Sequence, residues 1–549
     1  MFRLANKLAA AGLPTLRFDY PGTADAIGAP VVGVRSWVAS VDDAADRLKA
    51  TCGLDRIMLV GLGIGATMAL LASARRDDVE GLILAAPVVS GRRYLRETAL
   101  GASAVEEGLG LHAAQRPEGV SIGGIVMPSG VAADLKAIDL VRADLGHCKP
   151  VLLVHRPSHP QETEFADHLE SQGWPVERAV FDGYQAAMDN PTISVMPEGV
   201  IDTISGWALG MAEALPLLQT KPVPTTPVLV DSGHGVEEAL CFGEGLFGIV
   251  TQPAIRTATP IVVFLNSGYD HHAGWAYQWV RTAQTLAEEG VGSLRFDMAN
   301  IGDSGPRPGA AAQVLYSTGQ QQDIATAIDM LADRGEHTII VVGRCSGAFA
   351  ALHAAARDDR IKGAVVINPL RLVWDQDEDV EVAIRVGPRS IADYRQRALS
   401  GKTLRRLLAG EIDIPGVARG LGTQFIRRIT QRLAPLVGSL SKSTRLRREC
   451  AAMMGEISGR GAALHFVCSE RDASLEQVAF QFGGDFGGLG RYPDASLTTV
   501  PDADHNMTPQ HAHDAVLEVI RDSIHRVEAA TGPDTVFPAG SSGPQRLRA

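Results

Sequence analysis

Two tandem copies of one α/β domain, each a parallel sheet with helices on both faces, are what the sequence predicts, and three observations carry this. The segment "FRLANKLAAAGLPTLRFDYPGTAD" from Phe2 is echoed by "VRTAQTLAEEGVGSLRFDMANIGD" from Val280. Further along, "IMLVGLGIGATMALLASARRDDVEGLILAAPVV" from Ile57 parallels "IIVVGRCSGAFAALHAAARDDRIKGAVVINPLR" from Ile339. Self-similarity of this kind marks a duplicated structural unit. Within each copy, short apolar runs alternate with helical periodicity, the pattern of β-α-β units and a parallel sheet covered on both faces.

In chain order, the first copy opens on an amphipathic helix with its stripe at Leu4, Leu8 and Ala11, and turns at Gly12. It is then predicted to enter a strand ending in Arg17-Phe18-Asp19. Strand, Gly turn, Ala-rich helix and a strand ending at Pro87 follow. The second copy repeats these elements, with its turn at Gly290 and its last strand ending at Pro369. It begins earlier, with "TPIVVFLNSGYDHHAGW", a buried strand and a turn. The first copy has no counterpart, so the expectation is either a truncated domain or a start that lies upstream.

Pro and Thr crowd residues 217–230 and set the boundary, giving a first domain over 1–220 and a second over 221–530. Residues 531–549 are Gly/Pro/Ser-rich and read as a disordered tail. A long insertion in the second domain, about 371–460, is expected to form a helical cap.

A length of 549 residues is too great for one core, and 45% hydrophobic with 21% charged residues is ordinary for a globular protein. The net charge of −12 argues against nucleic acid as a partner. No apolar stretch is long enough to span a bilayer. Asn6 and Lys7 interrupt the first apolar stripe, so no export signal is read and a cytoplasmic location is expected. The six cysteines are scattered without a CxxC pair, which points to neither a zinc site nor a disulfide framework.

The chemistry centres on "VVGRCSGAFAAL", residues 341–352. A strained strand-to-helix turn that presents a nucleophile tolerates only small residues two positions either side of it. Cys345 has Gly343 and Gly347 there, whereas Ser346 would have Arg344 and Ala348, and the arginine would clash. The turn therefore presents Cys345, while Ser346 gives its backbone N–H to an oxyanion hole. The bland alternative makes Cys345 a small buried hydrophobe.

Partners for such a nucleophile follow in the order acid, then histidine. After the strand in "ALHFVCSERDASLEQ" a loop carries Asp472, with Glu470 as the alternative acid. After the strand in "LTTVPDADHNM" a loop carries His505, with Asp504 as a turn residue. His505 would deprotonate the thiol and Asp472 would orient the imidazole. A second oxyanion donor is expected at Gly268 or Tyr269 in "FLNSGYDHH". His271 and His272 are attractive as metal ligands, but no carboxylate cluster accompanies them in sequence, so they are assigned to substrate contact or loop polarity. Asp297 and Asp303 are expected to fix the turn after their strand, as Asp19 and Asp25 would in the first copy.

On "FLNSGYDHH", "LRFDMANIGDS" and "VGRCSGA" the second half resembles α/β-hydrolases of the serine-aminopeptidase-like and exosortase-associated group, some of which carry cysteine at the elbow. The resemblance covers roughly 235–530 and, more weakly, 1–215. It implies acyl-transfer chemistry, often near polysaccharide or lipid biosynthesis. The first half departs from it, with Gly63 in the nucleophile position, His159 near the acid position and Ala186 near the histidine position. A pseudo-hydrolase domain is therefore expected there.

A helix N-terminus and a neighbouring histidine both favour thiolate at Cys345. Thiolate leaves more easily than alkoxide, so thioesters, lactones and other activated acyl groups suit it better than plain esters. The expected function is ester or thioester hydrolysis through an acyl-cysteine, without cofactor or metal. An acyltransferase passing the acyl group to a hydroxyl or amine, and a non-catalytic scaffold, are the alternatives. The expected partner is a small-molecule or carrier-bound acyl substrate. The Arg-rich helices "RQRALSGKTLRRLLAGE" and "FIRRITQRLAPLV" in the cap read first as a solvated face, then as a lid for an anionic donor, and last as a peripheral membrane contact.

Overall fold

The computed structural model describes residues 1–111, 115–117, 119–213, 228–258, 260–307, 309, 313–375, 377–385 and 442–531. The expected Arg-rich cap helices, most of the Pro/Thr-rich linker and the tail beyond 531 lie outside the described residues. The chain divides into two compact units, the first Met1–Gly108 with Arg116–Thr226, the second Leu109–Gln115 with Pro227–Ala549.

The first unit has strands β1 (Ile57–Leu62), β2 (Val79–Ala85), a short hairpin of β3 (Ser121–Ile122) and β4 (Ile125–Val126), β5 (Val151–His155) and β6 (Val176–Val180). Its main sheet runs β1-β2-β5-β6, all parallel. Leu4 and Leu8 pack with Val200 and Ile204 on one face, and Leu70 with Phe165 and Leu169 on the other.

The second unit has β7 (Val228–Asp231), β8 (Val236–Phe242), β9 (Leu246–Gln252), β10 (Ile261–Phe264), β11 (Ser293–Asp297), β12 (Ile339–Arg344), β13 (Ile361–Ile367), β14 (Ala463–Ser469) and β15 (Ala495–Val500). They form one sheet in the order β15-β14-β13-β12-β10-β11-β9-β8-β7. Strands β10 to β15 pair in parallel, as helical crossovers require. Strands β7, β8 and β9 add an antiparallel meander at the β11 edge. The sequence reading placed residues 228–230 of β7 in the linker and expected a parallel sheet. The visible sign of the meander was the pair of Gly-rich turns in "VLVDSGHGVEEALCFGEGLFGIV".

The duplication extends to backbone detail. In both copies the register slips after the first residue of the leading strand, between Ile57 and Met58 and again between Ile339 and Ile340. One expected strand is absent. Residues 13–20 carry the Arg-Phe-Asp pattern of β11 yet form no strand. In the second unit β11 is held between β10 and β9. Among the described residues the first unit has a counterpart to neither, so 13–20 has no neighbouring strand with which to form a ladder.

The cap boundary also moves. The helix Lys442–Gly459 was expected inside the insertion, but its Cys450, Met454 and Ile457 are buried in the main core with Leu352 and Leu464. It is the crossover helix between β13 and β14. No helix among the described residues is long and apolar enough to cross a membrane.

Candidate active site at the β12 elbow

Strand β12 hands over to the helix Ser346–Arg357 through Cys345, whose backbone sits at φ 56°, ψ −115°. A side-chain-bearing residue in such a conformation costs roughly 1–3 kcal/mol and persists only where its surroundings impose it. They do so here. Cys345 N–H donates to Ile367 O at 2.9 Å. A Cβ on Gly343 would lie 2.1 Å from Gly347 O, and one on Gly347 would lie 2.5 Å from Asn266 O. These clashes are the physical content of the Gly-x-Cys-x-Gly spacing. In the first unit Gly63 adopts nearly the same angles, φ 59°, ψ −122°, so the elbow is preserved without a side chain to present.

Cys345 is half-buried and a free thiol. Ser346 is 1% exposed, and its Oγ accepts a 2.8 Å hydrogen bond from Gly268 N–H. That bond answers which of the two neighbours is presented. It also corrects the expectation for Gly268, whose N–H is directed at the serine hydroxyl instead of at a substrate oxygen. Ser346 N–H, at the first position of its helix, has no intrahelical acceptor by geometry. Tyr269, the other candidate donor, uses its hydroxyl to donate to Gln313 Oε1 at 3.0 Å.

His505 and Asp472 are brought together from separate loops. His505 Nδ1 lies 2.8 Å from Asp472 Oδ2. In the neutral ring, donation from Nδ1–H to the carboxylate puts the lone pair on Nε2, the atom that exchanges a proton with the thiol. Nε2 is buried, and Cys345 is the side chain within its reach. The alternative acid, Glu470, is exposed. Asp472 is also the N-cap of the helix Ala473–Phe482, its Oδ1 accepting from Ser474 N–H at 2.8 Å. The corresponding cap in the first unit, on the helix Pro160–Ser171, is His159.

Burial works to lower the His505 pKa, but the Asp472 carboxylate and the nearby Cys345 outweigh it and raise the value to about 10. The folded state therefore holds a proton that the unfolded chain releases above about pH 6.5. The stabilisation is complete below that pH and is lost as pH rises toward 10. His505→Gln is expected to flatten the fall in denaturation midpoint between about pH 7 and about pH 9.5. An unchanged slope would remove His505 as its source.

The sequence reading missed two residues that hold these loops. Asn368, fully buried after β13, donates through Nδ2 to Ser469 Oγ and to His505 O, both at 2.9 Å. Its Oδ1 accepts from Ser469 N–H at 2.8 Å and Ser474 Oγ at 3.0 Å. One amide thus joins the acid loop to the histidine loop. Asn368→Ala is expected to cost about 3 kcal/mol, read from the denaturation midpoint, because several buried groups lose their partner together.

Arg344, 1% exposed, donates through Nη2 to Asp270 Oδ2 at 2.9 Å and through Nη1 to Asn506 Oδ1. It clamps the loop after β10 to the loop bearing His505. The signal for both was a polar residue ending an otherwise apolar strand, in "IIVVGR" and "VVINPL". Asp504, expected as a turn residue, accepts from Thr508 N–H and Thr508 Oγ1 and so shapes the histidine loop.

His271 and His272 do not fit the substrate-contact assignment. His272 is 2% exposed, and its Nδ1 lies 2.7 Å from Asp297 Oδ2. His271 is half-buried with Nε2 3.5 Å from Asp303 Oδ2. Asp297 does fix its turn, Oδ2 accepting from Asp303 N–H at 2.9 Å, and Asp19 repeats the bond to Asp25 N–H at 3.3 Å.

The two units have the α/β-hydrolase fold in tandem. Residues 262–519 match the model of the alpha/beta hydrolase family, and residues 1–120 match that of serine aminopeptidase, S33. An uncharacterized protein of Pseudomonas aeruginosa is 36% identical over 86 residues, which make up 15% of this chain and 22% of that protein. The chain therefore spans about a fifth of the length of that curated relative. Among solved structures, a proline iminopeptidase of Mycobacterium smegmatis is 16% identical with a TM-score of 0.33, over 56% of this chain and 100% of that one. An esterase of Pyrococcus furiosus is 15% identical with a TM-score of 0.32, over 52% and 92% of the two chains.

Proposed function

We propose that the second unit is a cysteine-dependent hydrolase of ester or thioester bonds, working through an acyl-cysteine. The observation that carries this is the Asp472–His505 pair at 2.8 Å, with a buried Nε2 in reach of Cys345 on its strained elbow. His505 Nε2 takes the thiol proton, and Cys345 Sγ attacks the acyl carbon. Ser346 N–H supports the oxyanion, and the imidazolium returns the proton to the leaving group. Water, activated by the same Nε2, then releases the acid.

Thioesters and other activated acyl groups suit this nucleophile, because a thiolate is expelled from the tetrahedral intermediate more readily than a plain alkoxide. Tyr316, stacked on Trp374 with ring centroids 4.5 Å apart and edge-on to Phe349, supplies an aromatic shelf near Cys345. The first unit, with glycine at its elbow, is proposed to be non-catalytic.

The test is peptide mass spectrometry after brief exposure to p-nitrophenyl acetate and to an acyl thioester. An acyl adduct on the Cys345 peptide, absent in His505→Ala, is the expected result. Normal alkylation of the exposed cysteines with no adduct at Cys345 would favour a scaffold instead.

A further inference from the structure

Every residue of β12 is buried, and the last of them is an arginine. Arg344 is 1% exposed. A charge taken out of water is rarely repaid in stability even when it is paired, and apolar side chains of similar volume often do as well or better. Stability therefore gives no reason for the ion pair that Arg344 makes with Asp270, in which Nη2 donates to Oδ2 at 2.9 Å. What the pair touches gives one.

Three loops meet on this guanidinium. Arg344 directly precedes Cys345, so its main chain is part of the elbow. Nη1 donates to Asn506 Oδ1, and Asn506 follows His505 in the chain. Nη2 reaches Asp270, whose loop is itself fixed, Asn266 Nδ2 donating to Asp270 O and Asp270 N–H to Ser267 O, both at 3.0 Å. Asp504 and His513 also face the guanidinium, and His505 faces Asp270. Asn368 holds His505 O on the acid side of the site, but that contact sets the imidazole against Asp472 and leaves its distance to the thiol open.

We propose that the buried Arg344–Asp270 pair is a positioning device, registering His505 on Cys345 as Asn368 registers it on Asp472. This rests on the acyl-cysteine reading of the elbow. Arg344 acts through Asn506, not on the reacting atoms. Arginine suits the task because its planar, always-charged fork holds two acceptors in fixed directions, which a lysine ammonium does not. The proton passing from Cys345 Sγ to His505 Nε2 needs those atoms within hydrogen-bond reach. A displacement of about 1 Å costs on the order of 100-fold in rate.

The experiment uses the full chain. Arg344→Met removes the charge and leaves Asp270 buried without its partner, whereas Arg344→Met with Asp270→Leu removes both. The single variant is expected to unfold at lower denaturant than wild type, and the double variant to recover most of that loss or exceed wild type. Acylation of Cys345 by a saturating thioester, followed by quenched mass spectrometry, is expected to slow about 100-fold in both, with KM within about threefold of wild type. Alkylation of Cys345 by iodoacetamide against pH needs no substrate, and in both variants it is expected to leave the wild-type profile for that of His505→Ala. Asn506→Ala, which cuts the link to the histidine loop and keeps the ion pair, should do the same, and carries the test if the double variant does not fold.

Wild-type acylation in the folded double variant or in Asn506→Ala would overturn the proposal. So would a loss confined to KM, or slowed acylation on an unshifted alkylation profile. If wild type and His505→Ala share one profile, the pairing of Cys345 with His505 falls first, and this inference with it.

Discussion

Cys345→Ala is expected to abolish turnover of an acyl thioester, lowering kcat/KM by at least about 10³-fold with little change in stability. The nucleophile is lost, and what survives is the modest catalysis of an oxyanion donor and of binding alone. Alanine at φ 56° is no more strained than cysteine, so the elbow itself should hold. Cys345→Ser asks a sharper question. The hydroxyl is less acidic than the thiol, so a base that suffices to activate the thiol does not activate the hydroxyl equally well. A loss nearly as deep as that of alanine is expected.

Ser346→Ala supplies the contrast. Its hydroxyl accepts from Gly268 N–H, so removing it strands a buried donor and costs about 1–3 kcal/mol of stability. Turnover should nevertheless stay within roughly an order of magnitude, since the backbone N–H is untouched. Steady-state assays of the three variants, each with a denaturation curve, separate the neighbours. A dead Ser346→Ala beside an active Cys345→Ala would reverse the assignment.

The elbow was legible because it is local. Gly343, Cys345 and Gly347 lie within one turn, and the clash that forbids a larger residue at Gly343 comes from Gly347 itself, although the one at Gly347 comes from Asn266 across the sheet. The acid and the histidine were legible because a parallel sheet delivers loops to one edge in a known order. Asn368 and Arg344 were not, since their importance lies in partners more than a hundred residues away, Ser469 and Asn506.

The failed strand at 13–20 carries the same lesson in reverse. Its pattern matches that of β11 closely, but a strand is defined by neighbours, and the described first unit provides none for it. The histidine pair is a third case. Read alone, His271 and His272 suggested a surface for substrate, and only the turn between Asp297 and Asp303 shows what they face.

Asp472→Asn separates two jobs carried by one carboxylate. Oδ1 caps the helix Ala473–Phe482 by accepting from Ser474 N–H, and Oδ2 accepts from His505 Nδ1–H. Asparagine caps a helix about as well as aspartate, so the cap is expected to survive with a stability change of a few tenths of a kcal/mol. The amide oxygen is committed to Ser474, which turns the NH₂ group toward His505. An NH₂ donor facing Nδ1 calls for a lone pair there and drives the ring proton to Nε2. In that tautomer His505 cannot accept the proton of Cys345, and kcat is expected to fall by about 10³–10⁴-fold while the protein stays folded.

Asp472→Ala should lose the same activity and a further roughly 0.5–2 kcal/mol from the missing cap. Comparing kcat with the unfolding midpoint for the two variants isolates the electrostatic role from the structural one. If Asp472→Asn keeps most of its activity, the carboxylate does not orient His505, and the charge that raises the imidazole pKa must be sought elsewhere, with Cys345 itself the next group in reach.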